Sequence, residues 1–179
     1  MKKCLIVVDY QNDFVSGTLG FPGAKKLDEK ISHKIKKYHQ NGDDVIFTFD
    51  THGTDYLNTR EGHYLPIEHC IKGTEGHELY GKTGKSLREE DRCFEKNTFG
   101  SKELYEYLKG TMYKSLEFVG VVTDICVISN VILAKTAQPE MDILVDSSCV
   151  ASNDEALNKA ALQVMKSMQI QVVTEDTED

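Results

Sequence analysis

The sequence predicts an α/β fold in which helices cover both faces of one mostly parallel sheet, and two observations predict it. Short runs rich in Val and Ile, of a length that suits strands buried on both faces, recur along the chain. Between them lie longer segments whose apolar residues return every three or four positions, as in helices packed by one face. Such alternation implies a parallel sheet with crossover helices. At roughly 100–200 residues per domain, the 179 residues fit one domain, 1–179, of three α/β/α layers around a Rossmann-like sheet.

The first strand is expected at 4–8, a continuous apolar run closed by Asp9. A helix over 25–40 follows from Leu27, Ile31, Ile35 and Tyr38, and Gly42 falls where a glycine ends a helix. A second strand is expected at 44–49. The stretch from about 51 to 100 breaks the pattern: it is rich in Gly, His, Thr and charge and has no clear period. A long irregular stretch inside a compact domain is often functional. Regularity resumes with a helix at 101–109, a strand at 116–122, a helix at 124–138, a strand at 142–145, a helix at 154–168 and a strand at 169–173. Ser101 and Ser152-Asn153-Asp154 supply polar caps for two of these helices. The acidic tail 175–179 is expected to fray.

Composition narrows the partners. Apolar residues make up 40% of the chain and charged residues 28%, with a net charge of −8, so the chain can bury a core but has no basic cluster with which to neutralise phosphates; nucleic acid is not expected. No apolar run approaches the ~18 residues of a membrane span, so no membrane partner is expected. Met1-Lys2-Lys3 ahead of Leu5-Ile6-Val7-Val8 has the charge order of a signal peptide, but Asp9 ends the run too early. A cytoplasmic protein is expected. The five cysteines, Cys4, Cys70, Cys93, Cys126 and Cys149, are odd in number and contain no CxxC pair, which argues for reduced thiols over disulfides or a zinc knuckle.

Ligands of open parallel sheets bind beyond the carboxyl ends of the strands. Asp9 follows the first strand, Asp50-Thr51-His52 the second, and Thr123-Asp124-Ile125-Cys126 the strand at 116–122. Cys126 near a helix start would have its thiolate favoured by free N–H groups, against the commoner fate of a buried small hydrophobe. Asp9 suits either a strand-end cap or an active site. Lys96 taken alone reads as a surface charge. Asp50, His52, Glu61, His63, His69 and His77 form a loop cluster whose Asp-x-His and later His suit Zn²⁺, Fe²⁺ or Mn²⁺.

Four segments together resemble the isochorismatase-like cysteine hydrolases, and within them the nicotinamidases (pyrazinamidases): Leu5 to Phe14, Phe49-Asp50-Thr51-His52, Pro66 to Gly76, and Gly120 to Val127. The resemblance spans nearly the whole chain. It implies the isochorismatase-like hydrolase fold and a catalytic triad of Asp9, Lys96 and Cys126. It implies a cis peptide between Val121 and Val122, and an oxyanion hole formed by the N–H groups of Val122 and Cys126. It further implies one divalent metal ion (Zn, Fe or Mn) on Asp50, His52 and His69, with Glu61 or His63 as a further ligand and Glu68 competing with His69. Phe14, Tyr64, Leu65 and Phe99 are its candidates for substrate contact. The implied activity is hydrolysis of nicotinamide, and of pyrazinamide, to the acid and ammonia through a Cys126 thioester, in NAD salvage. A metal-free amidase acting on a ureido or carbamoyl compound is the alternative, and a non-catalytic binding module a more distant one. A homo-oligomer is also implied.

Overall fold

The computed structural model describes residues 1–174; the acidic tail 175–179 lies outside the described residues. The strands are β1 (Cys4–Val8), β2 (Asp44–Asp50), β3 (Arg92–Lys96), β4 (Ser115–Val121), β5 (Asp142–Ala151) and β6 (Gln171–Val173). They form one sheet in the order β3-β2-β1-β4-β5-β6, with every pairing parallel. The helices are α1 (Asn12–Val15), α2 (Pro22–Lys25), α3 (Asp28–Gln40), α4 (Arg60–Tyr64), α5 (Gly81–Lys85), α6 (Lys102–Lys109), α7 (Ile128–Ala137) and α8 (Glu155–Ser167).

All five side chains of β1 are fully buried, and their alternation divides the core. Cys4, Ile6 and Val8 join a cluster with Leu104, Leu108, Val131, Ala134 and Met165, from α6, α7 and α8. Leu5 and Val7 face the other way, onto Ile31, Ile35 and Tyr38 of α3. Each fully buried aliphatic chain contributes roughly 1.5–3 kcal/mol, so the double-sided burial of β1 fixes the sheet's centre. One polar cluster interrupts the α3 face. Lys34 lies 2.7 Å from Glu117 and 3.0 Å from Asp146, and the Tyr38 hydroxyl donates to Glu117 at 2.5 Å. Buried charges persist only when paired and hydrogen-bonded in this way.

Several expectations require correction. The stretch 51–100 is not irregular throughout: it contains α4, α5 and the sixth strand, β3. β3 escaped notice because it is an edge strand, largely exposed up to Lys96, with a charged sequence, Arg-Cys-Phe-Glu-Lys. Cys93, on this strand, is exposed. The helix expected at 124–138 begins instead with a wide π turn, Thr123–Val127. β5 runs six residues beyond the expected 145, through the buried Asp146. The helix expected over 25–40 forms as α3, which starts three residues later, at Asp28, behind the short α2. The predicted caps do form: Ser101 accepts from the Leu104 N–H, Asp154 from those of Ala156 and Leu157, and Gly42 has φ +73°.

The register of β4 against β5 shifts between Phe118 and Gly120, immediately before the Val121–Val122 peptide, which is cis. Gly120 has φ +115°, and a Cβ there would lie 2.1 Å from the Val8 carbonyl oxygen. Only glycine lets β4 approach β1 so closely. Gly120→Ala is therefore expected to lower unfolding free energy by about 2–4 kcal/mol, combining backbone strain with overpacking; a urea midpoint equal to that of the wild type would contradict it.

Candidate active site

The sheet order changes direction between β1 and β4, and ligands of open α/β sheets bind at such a switch point. Four chain segments deliver side chains there. Asp9 follows β1, Asp50 and Lys96 end β2 and β3 as register partners, and Cys126 lies in the turn after β4. Asp9 adopts φ +46°, in the left-handed region that Asp tolerates better than most residues. Its N–H donates to the Thr48 carbonyl at 3.2 Å, and the Thr48 hydroxyl donates to Asp9 Oδ1 at 2.6 Å. Thr48 and Asp50 are two apart on one strand and so share a face.

Lys96 Nζ sits 2.5 Å from Asp9 Oδ2, 3.6 Å from Asp50 Oδ1 and 3.8 Å from Cys126 Sγ. Asp9 is 0% exposed and Lys96 and Cys126 are each 5% exposed, so these groups answer to one another more than to water. Burial works against the Lys96 ammonium, but Asp9, Cys126 and Asp50 outweigh it and hold the lysine firmly protonated. Burial lifts the Asp9 carboxyl above the ordinary carboxylate range; Lys96 and Thr48 oppose this and Asp50 adds to it. Burial likewise pushes the Cys126 thiol well up, with Lys96 opposing and Asp9 and Asp50 reinforcing. The expectation of a thiol acidified by a helix start is thus corrected: desolvation and two carboxylates outweigh it. The geometry sets a buried thiol, its proton held by desolvation, beside a fixed cation.

Asp50 turns its other oxygen to a second cluster. Asp50 Oδ2 lies 3.0 Å from His52 Nε2 and 3.3 Å from His69 Nε2, and Glu61 Oε1 lies 3.8 and 3.6 Å from the same two nitrogens. The four donor atoms lie within 4.8 Å of one another. A tetrahedral ion with bonds of about 2.0–2.1 Å needs donors about 3.3–3.4 Å apart, and the four separations straddle that value. Two imidazoles and two carboxylates, all but Glu61 buried, suit a small divalent ion. His69 Nδ1 bonds the Ile67 carbonyl at 2.8 Å, which leaves Nε2 facing the cluster. His63 and Glu68, the competing candidates, are exposed and are not among the four grouped donors.

Of the expected contact residues, Phe14 is half-buried with its ring 5.5 Å from that of His69. Leu65 is half-buried and its carbonyl accepts from Tyr56 at 2.9 Å. Phe99 is 44% exposed, and Tyr64 is 78% exposed with Arg60 over its ring. Val122 is half-buried, and its carbonyl accepts from the N–H groups of Ile125 and Val127.

Three supporting residues escaped the sequence. Tyr56 is fully buried, its ring edge-on to His52 and His69 at 4.7 and 5.0 Å. Gln11 accepts from the Asp50 N–H at 2.8 Å and donates to the carbonyls of Asp50 and His77 at 2.9 and 2.8 Å, so it fixes the strand end carrying Asp50 to the following loop. Asn130, fully buried, donates to the Cys126 carbonyl at 2.8 Å. A polar residue three places after a strand end, as Gln11 is, was an available signal; nothing in the sequence marked Tyr56 as a neighbour of two histidines.

The isochorismatase-domain model matches residues 3–177, and the chain belongs to that family. An uncharacterised isochorismatase family protein, PncA, of Bacillus subtilis is 36% identical over 140 residues, covering 72% of this chain and 75% of its own. The crystal structure of a nicotinamidase/pyrazinamidase PncA from Bacillus subtilis superposes with TM-score 0.85 at 30% identity, covering 98% of this chain and all of that one. A pyrazinamidase of Pyrococcus horikoshii in complex with zinc superposes with TM-score 0.85 at 26% identity, covering 98% and 100%.

Without metal, His69 is where a proton is stored. Burial disfavours its cation, but Asp50 and Glu61 push its pKa up to about 10 from 6.5. A raised value means stabilisation that is complete below pH 6.5 and lost as pH rises through 10. Thermal melts of chelated protein are expected to show unfolding temperature falling across that window, and falling less in His69→Asn; an equal fall in the variant would remove His69 as the cause.

Proposed function

We propose that this chain is a metal-assisted nicotinamidase that hydrolyses nicotinamide, and pyrazinamide, to the acid and ammonia. The observation that carries the proposal is the position of Asp50. Its Oδ1 lies 3.6 Å from Lys96, beside Asp9 and Cys126, while its Oδ2 lies against two histidines. A nucleophile cluster and a metal-type cluster thus share one carboxylate, a spacing suited to a small substrate held by one and attacked by the other. Membership of the isochorismatase family and the nicotinamidase and pyrazinamidase neighbours support the same substrate class.

In the proposed reaction Asp9 accepts the Cys126 proton as sulfur attacks the amide carbon, and Lys96 offsets the charge gathering around them. The oxyanion is held by the N–H groups of Val122 and Cys126. Asp9 returns the proton to the leaving nitrogen, ammonia departs and a thioester remains. Asp9 then takes a proton from water, hydroxide adds to the thioester carbon, and the acid leaves as the Cys126 thiol is restored. The raised carboxyl of Asp9 suits a group that must give its proton back within each cycle. Asp50, His52, His69 and Glu61 would hold a divalent ion whose Lewis acidity anchors a ring nitrogen. Phe14, beside His69, is placed to pack on the ring. The product, a pyridine carboxylate, fits a role in NAD salvage.

The test is ammonia release from nicotinamide before and after chelation and metal add-back. Cys126→Ala is expected to abolish turnover, and Asp9→Asn to lower it about 10²–10⁴-fold. Chelation is expected to suppress turnover and add-back to restore it. Undiminished turnover by Cys126→Ala would sink the proposal. A metal-loaded protein inert on nicotinamide would redirect the search to ureido, carbamoyl or other small amides.

A further inference from the structure

Asn130 uses both amide donors and its carbonyl oxygen. Its Nδ2 donates to the Cys126 carbonyl at 2.8 Å and to the Phe99 carbonyl at 3.1 Å, while Oδ1 accepts from the Ser101 N–H at 2.9 Å. The side chain is fully buried, as is Ser101. Two carbonyls and one N–H as partners leave a single orientation for the amide. These bonds span two elements that approach each other only in the folded protein. One is the π turn carrying Cys126. The other is the loop 97–100, which leaves β3 directly after Lys96 and ends at Ser101, the cap of α6. Packing allows the approach, since a Cβ on Gly100 would lie 2.7 Å from Leu133 on α7. Apolar packing of that kind sets distance but not register. A three-bond clamp sets both.

We propose that Asn130 is a positioning residue that holds the Cys126 turn against the strand exit carrying Lys96. It thereby fixes the 3.8 Å spacing of Lys96 Nζ and Cys126 Sγ and the place of Phe99 at the rim. The inference rests on Cys126 as the nucleophile but not on the identity of the amide. Nothing in the sequence separates Asn130 from an ordinary helical residue: it stands four places after Cys126, one turn along the same helical path, and points its amide backward.

The test uses Asn130→Ala, Asn130→Ser and, as a destabilised comparator on the opposite face of the sheet, Ile35→Ala, all in the full chain. A serine in a helix can still donate to the carbonyl four residues back, so Asn130→Ser keeps the bond to Cys126 and loses the one to Phe99. Two readouts are taken on folded protein: alkylation of Cys126 by iodoacetamide at neutral pH, followed by mass spectrometry, and steady-state release of ammonia from nicotinamide. Misplacing reacting groups by about 1 Å can cost ~10²-fold in rate. Asn130→Ala is therefore expected to lower kcat by about that factor, with KM changed far less, and to slow alkylation several-fold, since thiolate is the reacting form and Lys96 would no longer face it. Asn130→Ser is expected to recover part of both losses, and Ile35→Ala to show neither. Alkylation of Asn130→Ala at or above the wild-type rate would overturn the inference, as would equal losses in Ile35→Ala at matched stability. Slowed alkylation of Asn130→Ala relative to a wild-type chain that is itself inert on nicotinamide would leave the positioning role standing and remove the nicotinamidase assignment instead.

Discussion

One ammonium group holds the site together. Lys96 is nearly sealed from water and stands between two carboxylates and a thiol that come from three other parts of the chain. Taking away one partner of a buried ion pair generally costs about 3–5 kcal/mol, because the remaining charge is left uncompensated. Here it would leave two like charges facing each other. The arrangement requires β3, β2 and β1 to be adjacent and in register, since Lys96 and Asp50 are register partners and Asp9 is tied to Thr48 on the strand between. Sheet topology and the geometry of the candidate site are in this respect one constraint.

Asp50 extends that constraint outward. It has one oxygen toward Lys96 and one toward His52 and His69, so anything bound by the histidines alters the charge that Lys96, Asp9 and Cys126 feel. Gln11 grips both backbone groups of Asp50 and so fixes the main chain from which the carboxylate projects. The rings of Tyr56, edge-on, and Phe14, tilted, pack against the histidines and help shield them from water, which sharpens the electrostatic interactions among the donors. The Cys126 side and the histidine side are thus two ends of one buried polar network.

Much of this was legible in the chain itself, and the rest was hidden for identifiable reasons. The apolar runs of β1, β2 and β4 announce central strands, because strands buried on both faces have no polar side to disguise them. Asp9, Asp50, His52 and Cys126 could be placed at one sheet edge by position alone. Lys96 could not: β3 is an exposed edge strand with three charged residues in five, and without that strand the lysine looks like an ordinary surface charge. It was found through family resemblance. Glu61 was separable from His63 only in three dimensions, where α4 turns one inward and the other outward. Asn130 and Tyr56 act through backbone carbonyls and ring edges, which leave no pattern in a sequence. The thiol went astray because a helix start favours a thiolate only when burial does not oppose it more strongly.

The sheet order also bears on how the chain is made. β1 leaves the ribosome before the five strands it is joined with, yet it lies at the centre of the finished sheet, paired to β2 from Cys4↔Asp44 and to β4 from Cys4↔Leu116. The second partner lies 116 − 4 = 112 residues downstream, which at about 5–20 residues per second is roughly 6–22 s of synthesis. Throughout that interval the most apolar strand in the protein has one unpaired edge, the kind of template on which foreign strands assemble. A nascent chain of this design depends on α3, which folds locally and covers one face of β1 early, and on whatever shields the open edge until Val121 emerges.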